Sequence, residues 1–238
     1  MYVFPTRVQV RQYNEKMLDR TPGDLVVLSA TNIIEERKTF HPKPDETDGK
    51  VPNTPFIQDL YLKIGAKVIM KYNVDVFDGL ANGSKGKVLD FIRKNDEVTH
   101  VIVQFTDPKS GKALREKHKK TSNFLCRYEN GTPIARMTFS YNLRKRKNQG
   151  GHKAKCIQFP LMLGFASTIH SIQGATFPPP MTVTSDFSKI FEGSQAYTVL
   201  SQTKRLDQLF LLNDVYEHKI YASQKSNRSI EVALRKSH

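Results

Sequence analysis

The sequence predicts an α/β protein, a lobe built on a mainly parallel sheet and interrupted by a small β-barrel insertion. Three observations predict it. After Phe159 the chain reads strand, helix, strand, the order that builds a parallel sheet with crossover helices. Between Leu62 and Tyr141 it carries short apolar runs separated by polar turns, without strong helix signals between them. The 238 residues are 38% hydrophobic and include 14 Phe and 9 Tyr, enough for one large core or two small ones.

The elements follow in order. Val8–Leu18 starts as an alternation and becomes charged and helical around Arg11–Asp19, with Thr21-Pro-Gly as the stop. Leu25–Ala30 is a short β run. Glu35–Pro55 is polar and proline-bearing, and is predicted as a surface loop or flap. Leu62–Tyr72 (LKIGAKVIMKY) alternates as one strand, and Asn82-Gly-Ser then breaks the chain. Gly86–Ile92, His100–Phe105 and Thr132–Tyr141 are further strands. The basic stretches Lys109–Lys120 and Arg144–Lys155 are predicted as loops between them. Phe159–Phe165 is a buried strand and Met181–Asp186 another. Ser194–Ser201 is helical, and Leu206–Leu212 ends in a strand. No internal repeat is present.

Lys and Arg number 37 against 23 Asp and Glu, a net charge of +14. Such a balance favours a polyanionic partner, nucleic acid before an acidic membrane surface. The two cysteines, Cys126 and Cys156, make neither metal-ligand spacing nor a disulfide framework, so no metal site is expected and a reducing interior is. The longest apolar stretches are far shorter than a membrane span, and the N-terminus lacks the apolar core of a secretory signal. The expectation is an intracellular chain without a membrane partner. The run LRKRK at Leu143–Lys147 resembles a nuclear-import signal, which favours the nucleus over the mitochondrion.

The segment with the densest chemistry is Phe165–Phe177, FASTIHSIQGATF. It leaves the predicted strand Phe159–Phe165 at the end where open α/β sheets form their ligand crevice. Thr168 and His170 can both donate to phosphate or sugar oxygens. Gln173 and Gly174 can bring an amide and a backbone N–H to a second ligand, since glycine permits close approach. The competing reading is structural, because a lone histidine beside an apolar strand is more often a satisfied packing residue.

Four blocks, taken together, resemble the Pif/RecD-like DNA helicases of superfamily one, B group. FPLMLGFASTIHSIQGATF is similar to that family's Q-x-P-L-x-x-A-W-A-x-T-I-H-K-S-Q-G-x-T, through Gln158, Pro160, Leu161, Ala166, Thr168, Ile169, His170, Gln173, Gly174 and Thr176. FEGSQAYTVLSQTKRLDQLFLL resembles the next motif, G-Q-A-Y-V-A-L-S-R, through Gln195, Ala196, Tyr197, Leu200 and Ser201. LKIGAKVIMKYNVDVFDGLANGSKGKV and FPTRVQVRQYNEKML fit two upstream stretches, the first carrying Asn73, Gly79, Leu80, Asn82 and Gly83, the second Thr6. The blocks occur in the family's order and cover most of the chain.

The resemblance implies a RecA-like second motor lobe from 1–83 and 159–238, with an SH3-like β insertion at 84–158. It implies single-stranded DNA as partner, contacted by Thr6, Asn82, Thr168 and His170, and a nucleotide edge formed by Gln173, Gly174, Tyr197 and Gln202. The departures bear on catalysis. No G-x-x-x-x-G-K-[ST] occurs, and neither Asp45-Glu46 nor Asp96-Glu97 follows an apolar strand, so ATP and Mg²⁺ are expected only if a first lobe is supplied. The family's last motif ends in Ser-Arg, the Arg reaching the γ-phosphate; here Ser201-Gln202 stands, so no catalytic set is complete. Lys204 and Arg205 just beyond are expected to be surface residues. Two readings follow: the C-terminal portion of an ATP-dependent DNA helicase whose ATP site a P-loop lobe completes in the same or another chain, or a degenerate, non-catalytic module that binds nucleic acid or docks on a partner. A complete ATPase of unusual design is the third and weakest.

Overall fold

The structure, a computed structural model, describes residues 1–34, 38–119, 128–143, 152–173, 181–186, 190, 193–202 and 205–213. In chain order it contains β1 (Tyr2–Phe4), α1 (Arg7–Arg20), β2 (Val26–Ser29), β3 (Thr31–Ile34), β4 (Lys38–Thr39), β5 (Asp59–Leu62), β6 (Lys67–Met70), β7 (Lys85–Lys94) and β8 (Glu97–Phe105). These are followed by α2 (Lys112–Lys119), β9 (Gly131–Ala135), β10 (Met137–Leu143), β11 (His152–Gln158), β12 (Leu161–Leu163), β13 (Ala166–Thr168), α3 (Ile169–Ile172), β14 (Val183–Ser185), α4 (Gly193–Ser201) and β15 (Leu209–Leu211). The chain divides into two compact units, Met1–Tyr13 with Phe165–His238, and Asn14–Gly164.

The first unit carries the predicted parallel sheet, in the order β13-β1-β14-β15. Every pairing in it is parallel, with Tyr2 opposite both Ala166 and Thr184, and Val183 opposite Leu209. The first strand of the chain is thus an inner strand. It is apolar along its length, as a strand covered on both faces must be. Three residues are too few to show a period, and β1 is not legible in the sequence. One core joins Val3 and Val183 to Ile169 and Ile172 of α3 and to Ala196 and Val199 of α4. A second gathers Phe4, Val10 and Ala166, with the Tyr13 ring tilted against Tyr2 at 4.4 Å and Phe4 at 5.3 Å, centroid to centroid.

The second unit is antiparallel. A five-stranded sheet runs β12-β6-β7-β8-β9 and a four-stranded sheet runs β10-β11-β3-β4, with β2 and β5 paired as a ribbon. The β7–β8 hairpin turns through Asn95 and Asp96, both at positive φ (50° and 64°) between the paired Lys94 and Glu97. That is the backbone a two-residue hairpin of this twist requires. This unit is wider than the insertion expected over 84–158, because β6 and β12 bond into the same sheet as β7.

Several predicted elements change. The single strand Leu62–Tyr72 is two, parted at Gly65, which has φ 89°. Thr132–Tyr141 parts at Arg136, so that β9 and β10 join different sheets; Pro133 is accommodated because β9 is an edge strand. Phe159–Phe165 also divides. Its middle, β12, pairs antiparallel with β6, and the chain then crosses to the first unit as β13 beside β1. Gly164 permits the crossing, since a Cβ there would lie 2.6 Å from Ile69 Cγ1 and 3.0 Å from the Val68 carbonyl carbon.

Two stretches predicted as loops are partly regular. Lys109–Lys120 contains α2, and Arg144–Lys155 ends in β11, where Lys153 and Lys155 point outward and Ala154 and Cys156 inward. The residues of LRKRK after Leu143 lie outside the described residues, as does Cys126. Glu35–Pro55 is not simply a surface flap. Val51 is fully buried and packs with Phe56, Tyr141, Ala154 and Cys156.

Gln158 explains how three strands meet. It is fully buried, and its Nε2 donates to the carbonyls of Leu28 (2.6 Å), Ile57 (3.1 Å) and Gln58 (3.3 Å). Its Oε1 accepts from the Phe159 N–H at 2.9 Å. Gln158→Leu removes the side-chain donor to the Leu28 and Ile57 carbonyls and the acceptor of the Phe159 N–H, so guanidinium unfolding is expected to show a loss of about 2 kcal/mol.

Candidate nucleic-acid interface

The first unit presents one sheet edge where four strands end together. The carboxyl ends of parallel strands lead into loops that form the ligand crevice of such sheets. β1 leads to Thr6, β13 to Thr168 and His170, β14 to Asp186 and β15 to Asn213. Asn213 Nδ2 donates to Asp186 Oδ1 at 2.6 Å, tying the last two exits together.

Thr168 has an extended backbone (φ −80°, ψ 153°), and its Oγ1 accepts from the Ser171 N–H at 3.3 Å, which starts α3. The same hydroxyl shares a 2.7 Å hydrogen bond with Ser171 Oγ. This is helix capping, and it ties down the group that the sequence reading assigned to phosphate. His170, in the first turn, is exposed, while Ile169 and Ile172 are buried beneath it. Thr6 is exposed and plays a similar capping part for α1: its hydroxyl donates to Gln9 Oε1 at 2.9 Å and accepts from the Gln9 N–H at 3.3 Å. The structure therefore brings Thr6, Thr168 and His170 to one sheet edge, and leaves His170 as the side chain most open to a ligand. Asn82 belongs to the other unit, where its side chain is exposed and its N–H donates to Asn73 Oδ1 at 2.7 Å.

Of the residues expected at a nucleotide edge, Gln173 closes α3, Tyr197 lies on α4 and Gln202 follows it, and the two helices pack together. Gln173 is exposed at the end of α3, its N–H bonded to the His170 carbonyl. Gly174, Thr176 and Lys204 lie outside the described residues. Tyr197 is 70% exposed on α4, whereas Gln195, Ala196 and Val199 face inward. Among the described residues, neither amide atom of the buried Gln195 has a hydrogen-bond partner. Gln202 donates through Nε2 to Ser201 Oγ at 2.9 Å. Arg205 forms a two-point contact with Asp207, at 3.1 and 2.8 Å, on the surface.

In the second unit the sequence reading missed a buried cation. Arg115 of α2 is 7% exposed, and its Nη1 donates to the Ser110 carbonyl (2.6 Å) and Thr132 Oγ1 (2.9 Å), its Nη2 to the Pro108 carbonyl (2.7 Å). The surrounding lysines concealed it in sequence. Lys112, Lys117 and Lys119 of the same helix are exposed. Lys85, which starts β7, is pushed down to about 8 by burial. The Cys156 thiol is buried and raised to about 11, mainly by that burial, as suits a packing residue rather than a nucleophile. Among the described residues no cluster of three or more His, Cys, Asp or Glu is placed to hold a metal, and no helix is long and apolar enough to cross a membrane.

A parallel α/β lobe with loops at the carboxyl edge, joined to an antiparallel unit with exposed lysines, is the fold class of a RecA-like lobe carrying a β-sheet appendage. Comparison with known proteins is specific. Residues 50–91 match the 2B domain family of DNA helicase Pif1. The chain is 26% identical to the ATP-dependent DNA helicase PIF1 of Candida albicans over 271 residues, covering 89% of this chain and 28% of that protein. It is 30% identical to the Danio rerio ATP-dependent DNA helicase PIF1 over 160 residues, covering 67% of this chain and 20% of that one. The crystal structure of Pif1 helicase from Candida albicans superposes with a TM-score of 0.68 at 25% identity, covering 98% of this chain and 49% of that one. That of Bacteroides Pif1 bound to ssDNA gives 0.65 at 20% identity and shares the fold, over 46% of its length. The chain is a relative of the Pif1-like DNA helicases, and spans less than half the length of these proteins.

Proposed function

We propose that this chain is the C-terminal portion of a Pif1-like ATP-dependent DNA helicase. It would be the second RecA-like lobe with its SH3-like insertion, the latter lying within Asn14–Gly164. Its role is to bind single-stranded DNA and to complete an ATP site with a P-loop lobe in the same or another chain. The observation that carries the reading is the sheet edge of the first unit: the motif Thr168–Gln173 leaves a parallel strand at its carboxyl end, next to the exit that carries Thr6. The solved relative bound to ssDNA and the net charge of +14 support the choice of polyanion.

The residues of this chain do not by themselves fit a bound ATP. Gln173 and Tyr197 offer an amide-and-aromatic edge, but the sequence holds no G-x-x-x-x-G-K-[ST] to cradle phosphates, and Gln202 carries no charge. The second reading, a non-catalytic binding or docking module, is favoured by that neutral Gln202 and by the engagement of Arg205 with Asp207. We place the protein in the nucleus on the basic run at Leu143–Lys147.

Fluorescence anisotropy with a labelled thymidine oligonucleotide tests the reading. If four phosphates are neutralised, affinity is expected to fall about 50-fold between about 50 and about 200 mM salt. Absence of binding at low salt sinks the DNA-lobe assignment. Co-purification of a P-loop protein together with that absence favours the docking module.

A further inference from the structure

We propose that Phe77 is a base-stacking contact, a rigidly presented aromatic ring that takes one unpaired base of the single strand. The proposal deepens the DNA-binding reading and rests on it.

Phe77 is fully exposed, at 105% of its reference surface, in a molecule whose other large aromatics are mostly packed. An aromatic ring left in water forgoes the largest stabilisation such a side chain offers. Ordinarily a ring in that position would sit on a loose loop. This loop, Asn73–Leu80, is tied at several points. Asp75 and Leu80 exchange backbone bonds at 3.2 and 2.7 Å, and the Gly79 N–H donates to the Val76 carbonyl at 3.2 Å. The next residue, Asp78, anchors the tip to another element. Its carboxylate accepts from the N–H groups of Ala113 (2.8 Å) and Leu114 (3.0 Å), capping α2, and its carbonyl accepts from Gly111 N–H at 2.6 Å. Gly79 holds φ 71° with Ser110 so close that a Cβ would meet its Oγ at 2.8 Å. The ring is therefore held out by the backbone on either side of it.

The size and charge of the surroundings select the occupant. The exposed apolar surface at the tip is one ring with Val76 (60%) and Val74 (36%). That is far smaller than a protein–protein interface needs, about 800 Å² per partner, and is the size of one nucleobase. The exposed Lys112 lies between Gly111 and Ala113, whose N–H groups bond to Asp78, and the exposed Lys109 stands one turn before it; of the loop's two carboxylates, that of Asp78 caps α2 and that of Asp75 accepts the Asp78 N–H at 3.1 Å. An exposed ring tied beside a lysine-bearing segment is a combination by which single strands are held without sequence preference, phosphates on the lysines and a base on the ring.

The chain has no tryptophan, so Phe77→Trp introduces a single emission reporter. Unlabelled thymidine oligonucleotide is titrated against the full chain carrying Phe77→Trp, and separately against Tyr61→Trp, on an exposed strand residue outside the loop. Labelled oligonucleotide reports binding of each by anisotropy. Quenching at position 77 without quenching at position 61 is expected. Phe77→Ala is expected to weaken binding about tenfold and Phe77→Tyr to restore it. Saturating anisotropy with unchanged emission at 77, and a Phe77→Ala that binds as the parent does, overturn the stacking contact while the DNA-binding reading stands. No anisotropy change in the parent overturns both. Emission at 77 that responds to a co-purified protein and not to oligonucleotide overturns it in favour of a protein partner.

Discussion

Incubated alone with Mg-ATP, the 238-residue chain is expected to release no phosphate above background, and Gln202→Arg is expected to raise turnover about 10³-fold only when a P-loop lobe from a Pif1-like helicase is added. The reasoning is electrostatic. Phosphoryl transfer spreads charge over the γ-phosphoryl oxygens, and a guanidinium supplied from the facing lobe stabilises it by about 4 kcal/mol for that rate factor. Gln202 is neutral, and its amide is bonded to Ser201 Oγ. Arg205 pairs with Asp207 at the surface. Phosphate release by the pure chain would mean that it holds ATP by other means. No gain from Gln202→Arg with the lobe present would remove Gln202 from the arginine position.

Phe56→Ala is expected to lower the unfolding free energy by about 4 kcal/mol, read from the denaturant midpoint, whereas Phe77→Ala changes it by no more than about 0.5 kcal/mol. Phe56 is 1% exposed and meets Tyr72 and Phe139 edge-on, with centroids at 6.1 and 5.9 Å. Truncation loses the transfer energy of the ring and leaves a cavity among stiff neighbours. Phe77 has no packing to lose. Equal costs for the two would show that the Asn73–Leu80 loop is part of the core and would count against its role as a presented surface.

The sequence by itself determined the parallel lobe and the polyanionic bias; it placed the strand before Thr168 at Phe159–Phe165, whereas the parallel strand is Ala166–Thr168 and runs directly into α3. Lobe and bias are each written in local order: an apolar run, the residue types that follow it, and a count of charges. The resemblance of its last motif to Ser-Arg is also legible in sequence, and it implies that Gln202 stands at the family's arginine position. What only the tertiary structure decided involves partners far apart in the chain. β1 is an inner strand because Ala166 and Thr184 lie on either side of Tyr2, a fact no three-residue stretch contains. Arg115 is buried inside a lysine-rich run because Pro108, Ser110 and Thr132 supply its acceptors. Thr168, read as a ligand donor from its type, and Thr6, assigned to DNA by the resemblance, both also cap helices, because the backbone N–H groups three residues on need an acceptor. The same sequence letters served burial at Phe56 and exposure at Phe77, and the difference lies in where the remote Asp78–α2 contact holds the chain. Side-chain chemistry is local and legible in sequence; desolvation and hydrogen-bond satisfaction are set by long-range neighbours, so they appear only in the folded chain.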